Sequence, residues 1–414
     1  MTSHSHGTAV PAHQARSVAE HRAAVTDLLA RLAAESRAEV LPLSGALGRA
    51  LVHGVLAPIS LPPFANSQMD GYAVRSTDIP DGGSDVRITQ PVPAGSSPRP
   101  LQPGTAAPIM TGAMIPAGAD AVVPIEKAVP DHFRTEGSGG LVTLPATVPG
   151  TYVRTAGSDI AAGERALAAG TCLGPAQLGL LAALGVAEVE VYRAVSVLLV
   201  TTGDEVVEPG QPLPPGKIYD SNGTLLEAAM QQAGLNVRRT GISTDNPAEL
   251  QALLRTRGGD VDLIVTTGGV SKGAYEVVRQ AMVEQPVEFL HVAMQPGGPQ
   301  GIGLFDGVPF LGFPGNPVSC LVSFEMFLRP ALSALVGAPA PRLPLSARLA
   351  HRLVSPGQKH QVRRGRLEPG GTVQLQGGES SHLMHALAGS NVLVHVPAGV
   401  TELAAGDEVE VWML

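Results

Sequence analysis

The chain reads as an α/β multidomain protein built around a central doubly wound parallel sheet. Three observations predict this. From Val195 onward, branched apolar runs alternate with short loops and helix-forming segments. The runs VSVLLVTTG (195–203) and DLIVTTGG (262–269) are continuously apolar, as strands buried on both faces must be. Residues 62–155 and the tail from about 336 lack this rhythm and read as short strands.

Taken in order, residues 16–38 are rich in helix formers. Val18, Val25, Leu28, Leu29 and Leu32 recur at helical spacing. Within 62–155, apolar pieces such as VRITQPV, ADAVVPIE and LVTLPA are cut by Pro, Gly and Asp, giving a β-rich lobe. Residues 156–192 return to small helical pieces around PAQLGLLAALG. Then SNGTLLEAAMQQAG is a helix ending at Gly234, LNVRRTGI a strand, and NPAELQALLRTR a helix with Pro247 in its first turn. AYEVVRQAMVE is the next helix, VEFLHVAMQP and FDGVPFLGFPG are strands, and NPVSCLVSFEMFLRPALSALVG is a last long helix. VRRGRL, TVQLQG, NVLVHVP and DEVEVWML make the tail a small all-β module. The boundaries that follow are 16–61 with 156–192, 62–155, 193–335 and 336–414.

Composition narrows the function. A chain of 414 residues exceeds a single typical core. A formal net charge of -8 and 3% aromatic residues argue against nucleic-acid coating and base stacking. Cys172 and Cys320 stand far apart, so neither a disulfide framework nor a CxxC metal clip is expected, and a reducing cytoplasm is. The start, MTSHSHGTAVPAHQ, lacks a signal-peptide pattern, and no apolar stretch reads as membrane-spanning.

The chemistry is expected at the strand ends. Ligands of open α/β sheets bind outside the carboxyl ends of the strands. The first Thr-Thr-Gly is followed by Asp204 and Glu205, a carboxylate pair. The second runs into GGVSKG, a turn suited to an anion. A third end runs into GFPGNPVS, where Asn316 or Ser319 can cap and Pro317 can begin the last helix. Together they suit a phosphorylated ligand with a divalent metal. Three other stretches are ambiguous alone. FANSQMDGYAV (64–74) is an Asx-type turn or a site. GSDI (157–160) and IYDSNG (218–223) each put one Asp in a loop, and Asp220 could equally cap the helix beginning near Ser221.

PPFANSQMDGYAV, IMTGAMIPAGADAVV, TTGDE with IYDSN, TTGGVS and GFPGNPVS stand in an order that resembles the MoeA-type molybdopterin molybdenumtransferases, the family of the gephyrin catalytic domain. The resemblance runs from about residue 16 to the end. It implies a β-rich lobe inserted into a mixed α/β segment, a molybdopterin-binding doubly wound domain and a C-terminal β-barrel-like domain. It also implies an elongated homodimer whose sites form between the doubly wound domain of one subunit and the lobe of the other. The implied reaction inserts molybdate into adenylylated molybdopterin with Mg²⁺-dependent release of AMP. Implied transient partners are the molybdopterin adenylyltransferase and the molybdoenzymes that receive the cofactor; no nucleic acid or membrane is implied.

Carried over by motif, the catalytic positions are Asp70, Thr111, Asp159, Glu205, Asp245, Arg364 and Ser381. Glu205 and Asp245, with Asp220, are assigned to metal and phosphate. Gly268, Gly269, Ser271, Pro314, Gly315, Asn316 and Ser319 would hold phosphate or pterin, and Arg364 and Ser381 would meet the metal-oxo anion. Two stretches depart from the family pattern. In GGVSKGAYE, Ala274 stands where an Asp is usual and Lys272 replaces an apolar residue. In HVAMQPGGP, His291, Gln295 and Gly298 stand where lysines are frequent. Lys272 and His291 are the expected compensating contacts. Two rival readings remain beside the transferase: the adenylyltransferase step, disfavoured by the extra β modules, and a paralogue that carries the pterin with weak or no metal insertion.

Overall fold

The fold was read from a computed structural model, which describes residues 15–34, 37–133, 140–243, 246–270 and 276–414. Helix α1 (Val18–Leu28) begins at a capping box: Ser17 Oγ accepts from the Glu20 N–H while the Glu20 carboxylate accepts from the Ser17 N–H. It stops earlier than the sequence predicts. A 3₁₀ turn, Ala30–Ala33, follows, and then strand β1 (Ala38–Pro42). The lobe is a five-stranded sheet of β2 (Gly71–Val74), β3 (Ser84–Ile88), β4 (Thr105–Ile109), β5 (Ala121–Pro124) and β6 (Leu141–Leu144), in the order β5-β2-β4-β3-β6. After it come α2 (Pro175–Ala183) and β7 (Glu188–Tyr192), which pairs antiparallel with β1. This pairing joins the segments on either side of the lobe, so the lobe is an insertion.

The central sheet runs through β8 (Ser196–Thr202), α3 (Ser221–Gln232), β9 (Asn236–Ser243), α4 (Pro247–Gly258), β10 (Leu263–Thr267), α5 (Val277–Ala281), β11 (Val287–His291), β13 (Pro299–Phe305) and β14 (Val308–Phe313). Between β11 and β13 lies the two-residue β12 (Met294–Gln295), which belongs to another sheet. The central order is β9-β8-β10-β14-β13-β11. Successive residues of β8 face opposite cores. Val197 and Leu199 pack with α1, α3 and the last helix, whereas Leu198 and Val200 pack with α4 and α5. That two-sided burial is what the continuous apolar run requires.

The sheet is not wholly parallel. β13 runs antiparallel to both β14 and β11. The reason is a two-residue hairpin turn at Asp306-Gly307, with φ of 44° and 82°. Asp-Gly is a favoured pair where both turn residues need positive φ. FDGVPFLGFPG is therefore a turn plus a strand.

The last helix is broken in register: α6 (Pro317–Ser323), a π turn over Phe324–Leu328, then α7 (Arg329–Val336). Pro330 lacks an N–H for the Met326 carbonyl, and Arg22 Nε donates to that oxygen instead, at 3.1 Å. By length and hydropathy the 20 residues Pro317–Val336 would pass as a membrane span, contrary to the sequence reading. Their most apolar window is 78% buried, so they are a core helix.

The tail closes into a barrel of β15 (Pro344–Leu349), β16 (His360–Leu367), β17 (Thr372–Leu375), β18 (Val392–Val396) and β19 (Glu408–Met413). Its order β16-β17-β15-β19-β18 is closed by β16 pairing with β18. Val362 and Leu393 of the barrel share the core of α1 and the last helix. The two-residue β12 pairs parallel with β16, tying the barrel to one end of the central sheet.

Candidate active site

Three strand ends meet at one edge of the central sheet and open onto a cleft of about 1100 Å³. Each end is knitted to the next. Thr202 Oγ1 donates to the Thr267 carbonyl at 3.2 Å, and the Gly268 N–H donates to the Phe313 carbonyl at 3.1 Å. Asn222, from the first turn of α3, donates from Nδ2 to Thr267 Oγ1 at 3.0 Å and to the Gly315 carbonyl at 2.6 Å. The glycines are required. Gly268 has φ 92°, and a Cβ there would lie 3.0 Å from the Thr202 carbonyl oxygen. Gly269 has φ 65°, with a Cβ 2.8 Å from Val278 Cγ2. Any side chain at either position would have to displace these neighbours from a backbone that also favours glycine.

The third end turns at Pro314, Gly315 and Asn316 into α6, with Pro317 at its first position. Asn316 makes no side-chain cap. Its Nδ2 donates instead to Ser381 Oγ at 2.8 Å, and the Val318 N–H donates to the Ser381 carbonyl at 3.1 Å. Ser381 is therefore held at the cleft from the barrel side. Its hydroxyl accepts from Asn316, so its hydrogen remains to donate. Ser319 is no cap either; it is buried one turn into the helix, where its carbonyl accepts from Ser323 Oγ at 2.8 Å. Cys320, beneath it, donates to the Pro314 carbonyl, and burial pushes its thiol up to about 12. It is a floor, not a nucleophile.

The carboxylates separate into two kinds. Asp220 caps α3: Oδ1 accepts from the Gly223 N–H at 2.8 Å and Oδ2 from Arg239 Nη2 at 2.8 Å. It is 2% exposed. Each oxygen thus accepts one hydrogen bond within the fold, and Asp220 is the cap that the sequence also allowed. Glu205 is exposed in the cleft, and its carboxylate accepts no hydrogen bond among the described residues. No group of three or more His, Cys, Asp or Glu able to hold a metal occurs among the described residues. Asp245, Ser271, Lys272 and Ala274 lie outside the described residues.

The barrel and the β11–β13 connection form the other wall. The His291 imidazole lies directly over Gly298, where a Cβ would fall 2.5 Å from the ring. Gln295 Nε2 donates to Glu379 at 3.4 Å, while its Oε1 accepts from the buried Gln361 at 3.1 Å. Arg364 is 1% exposed and does not line the cleft. Its Nη2 donates to the Gly378 carbonyl and Arg363 Nη2 to Gly377, so both hold the turn that presents Ser381. Burial pulls both guanidinium groups below their usual range. In this structure Arg364 supports that turn from beneath rather than lining the cleft.

Asp70, Thr111 and Asp159 do not line this cleft. They lie in and beside the lobe. Asp70 Oδ1 accepts from the Thr111 N–H at 2.6 Å and from Thr111 Oγ1 at 2.8 Å, which hold its exposed carboxyl below the usual range. Asp159 is an exposed loop residue whose N–H donates to the Leu61 carbonyl. Sequence reasoning missed Asn222, Gln361, Glu379 and Lys359. Asn222 stood next to a quoted Asp at a helix start, a legible signal. Lys359 and Glu379 come to the cleft, and Gln361 to its place behind Gln295, only through barrel closure.

Three family models match in sequence order: the MoeA N-terminal region (domain I and II) over residues 16–185, a probable molybdopterin binding domain over 198–334, and the MoeA C-terminal region (domain IV) over 346–414. Molybdopterin molybdenumtransferase 2 of Mycobacterium tuberculosis is 44% identical over 414 residues, covering 96% of this chain and all of that protein. The molybdopterin molybdenumtransferase of a Nostoc species is 34% identical, covering 94% of this chain and 92% of its own length. A crystal structure of a molybdopterin biosynthesis MoeA protein from Pyrococcus horikosii superposes with a TM-score of 0.73 at 32% identity, covering 94% of this chain and 98% of that one. With its strand-end cleft, inserted lobe and closed terminal barrel, the chain belongs to the MoeA family.

Proposed function

We propose that the protein is a molybdopterin molybdenumtransferase acting in molybdenum cofactor biosynthesis, the activity its curated relatives are named for. The observation that carries this reading is the convergence at one cleft of two backbone turns, Gly268–Gly269 and Pro314–Asn316, with the Glu205 carboxylate and the Ser381 hydroxyl. The N–H groups of Gly269, Gly315 and Asn316, which donate to no partner among the described residues, suit phosphate oxygens. A hydroxyl whose lone pair is already engaged donates outward, as an oxyanion requires.

In the finer form of the proposal, the substrates are adenylylated molybdopterin and molybdate. The turns hold the phosphoanhydride. Water's oxygen bonds to the adenylyl phosphorus while the bridging P–O bond breaks, releasing AMP and leaving phosphate on the pterin. The dithiolene sulfurs replace two molybdate oxygens, which leave as water or hydroxide. Mg²⁺ commonly takes one or two protein carboxylates and completes its shell with water and substrate phosphates. The exposed Glu205 fits that need, and the cation would supply charge neutralisation of the phosphates. The lobe residues Asp70, Thr111 and Asp159 act in this proposal from the partner subunit of a homodimer. A reducing cytoplasm suits the two free cysteines.

The test is incubation with adenylylated molybdopterin, Mg²⁺ and graded molybdate. Molybdate-dependent release of AMP, together with cofactor that reconstitutes a molybdoenzyme, is the expected result. A pterin carrier would bind the nucleotide-linked pterin and release no AMP at any molybdate concentration. One observation favours that second reading: Glu379 brings a carboxylate to the wall where an oxyanion is to sit.

A further inference from the structure

An oxyanion cleft needs positive charge, and this one has little. Among its described lining residues there are three glutamates, Glu205, Glu276 and Glu379, and a single residue with a permanent positive charge, Lys359. The chain as a whole has only four lysines. Lys359 precedes β16, and its position is fixed by the backbone. The His360 N–H donates to the Ala293 carbonyl at 2.9 Å, and His360 and Gln361 pair with Met294 and Gln295 of β12. The barrel thereby delivers Lys359 to the Gln295–Gly298 segment. Its ammonium has no ion-pair or hydrogen-bond partner among the described residues. A half-buried cation at a cleft wall with no direct ion-pair partner among the described residues is poised for an anionic ligand.

We infer that Lys359 is a binding residue for the tetrahedral metal oxyanion, acting with the Ser381 hydroxyl on the barrel wall. The inference rests on the proposed transferase activity. It selects the metal oxyanion over the substrate's phosphates because the phosphate-compatible turns, Gly268–Gly269 and Pro314–Asn316, arise from the sheet wall. The guanidiniums of the half-buried Arg363 and the buried Arg364 behind the Gly377–Gly378 turn add field from beneath without occupying the cleft.

The test uses full-length wild type, Lys359→Gln and Lys359→Arg. Equilibrium dialysis with radiolabelled molybdate and, separately, with AMP reads binding; AMP release with graded molybdate reads turnover. Loss of one charge-assisted contact predicts about a tenfold rise in the molybdate dissociation constant and half-saturation for Lys359→Gln. AMP affinity should be unchanged, and Lys359→Arg should recover most of the loss. Unchanged molybdate binding in Lys359→Gln overturns the inference. So does an equal loss of AMP affinity, which would assign Lys359 to phosphate. A wild type that binds molybdate through Lys359 yet releases no AMP would sink the transferase reading and leave the oxyanion site standing.

Discussion

Asp70 in the lobe and Asp220 in the cleft each accept two hydrogen bonds, yet they are opposite kinds of residue. Asp70 is exposed, and both of its donors come from one neighbour, Thr111. Asp220 is buried, and its donors are a helix N–H and the Arg239 guanidinium. One carboxylate is ordered but open to a ligand; the other is consumed by the fold. The difference shows why a motif aspartate cannot be given a role before its partners are known. Glu205, beside Asp220 in the same cleft, has the open kind of environment without the ordering.

The largest effect that would break this comparison is on stability. Asp220→Ala leaves Arg239 with a lost partner in a mostly buried position and strips the cap of α3. Removing one member of such a pair costs about 3 kcal/mol, read from the urea midpoint. A change below about 1 kcal/mol would mean that Glu208, which also pairs with Arg239, carries the load. Glu205→Gln should do the reverse. Molybdate-dependent AMP release should fall about a hundredfold, with the urea midpoint unmoved. Retained activity would remove Glu205 from the phosphate chemistry.

A smaller effect concerns acid. His21 is buried against Phe327, its Nδ1 has no partner, and burial lowers its pKa to about 4. His395, packed between His360 and Trp412, is lowered to about 3, again by burial first. Below the unfolded value of about 6.5, the unfolded chain takes up these protons first. Their contribution is therefore full above pH 6.5 and is lost as pH falls, through about 4 for His21 and about 3 for His395. Tm should drop by several degrees over that window, and His21→Leu should flatten the slope. An identical slope would place the acid sensitivity elsewhere. Asp70→Asn should change stability by no more than about 0.5 kcal/mol, as for other exposed substitutions, but with AMP release reduced. Full activity would exclude the lobe from the site.

Much of this was legible in the sequence. The continuous runs ending at Thr201–Gly203 and Thr267–Gly269 gave the strand ends, because two-sided burial leaves no alternation. Pro317 and Asp220 gave helix starts, because a first-turn proline and a side-chain cap are local features. What escaped was set by long-range pairing. FDGVPFLGFPG carried its hairpin signal in Asp306-Gly307, but which strand precedes that turn depends on register across the sheet. VEFLHVAMQP reads locally as one strand, yet Val287–His291 and Met294–Gln295 join different sheets. Lys359, Gln361 and Glu379 lie 60 residues or more from the strands they face, and no local spacing announces them. The burial of Arg364 under Gly378 is likewise invisible before the barrel closes.

The most direct measurement is anomalous diffraction from crystals of the full chain soaked with tungstate and AMP. The predicted result is a tungsten peak in the cleft, between Lys359 and Ser381, with the AMP phosphate at Gly268–Gly269 or Pro314–Asn316. A tungsten peak at Asp70 and Thr111 with none in the cleft, or AMP bound away from the strand ends, would contradict the assignment of the cleft as the active site.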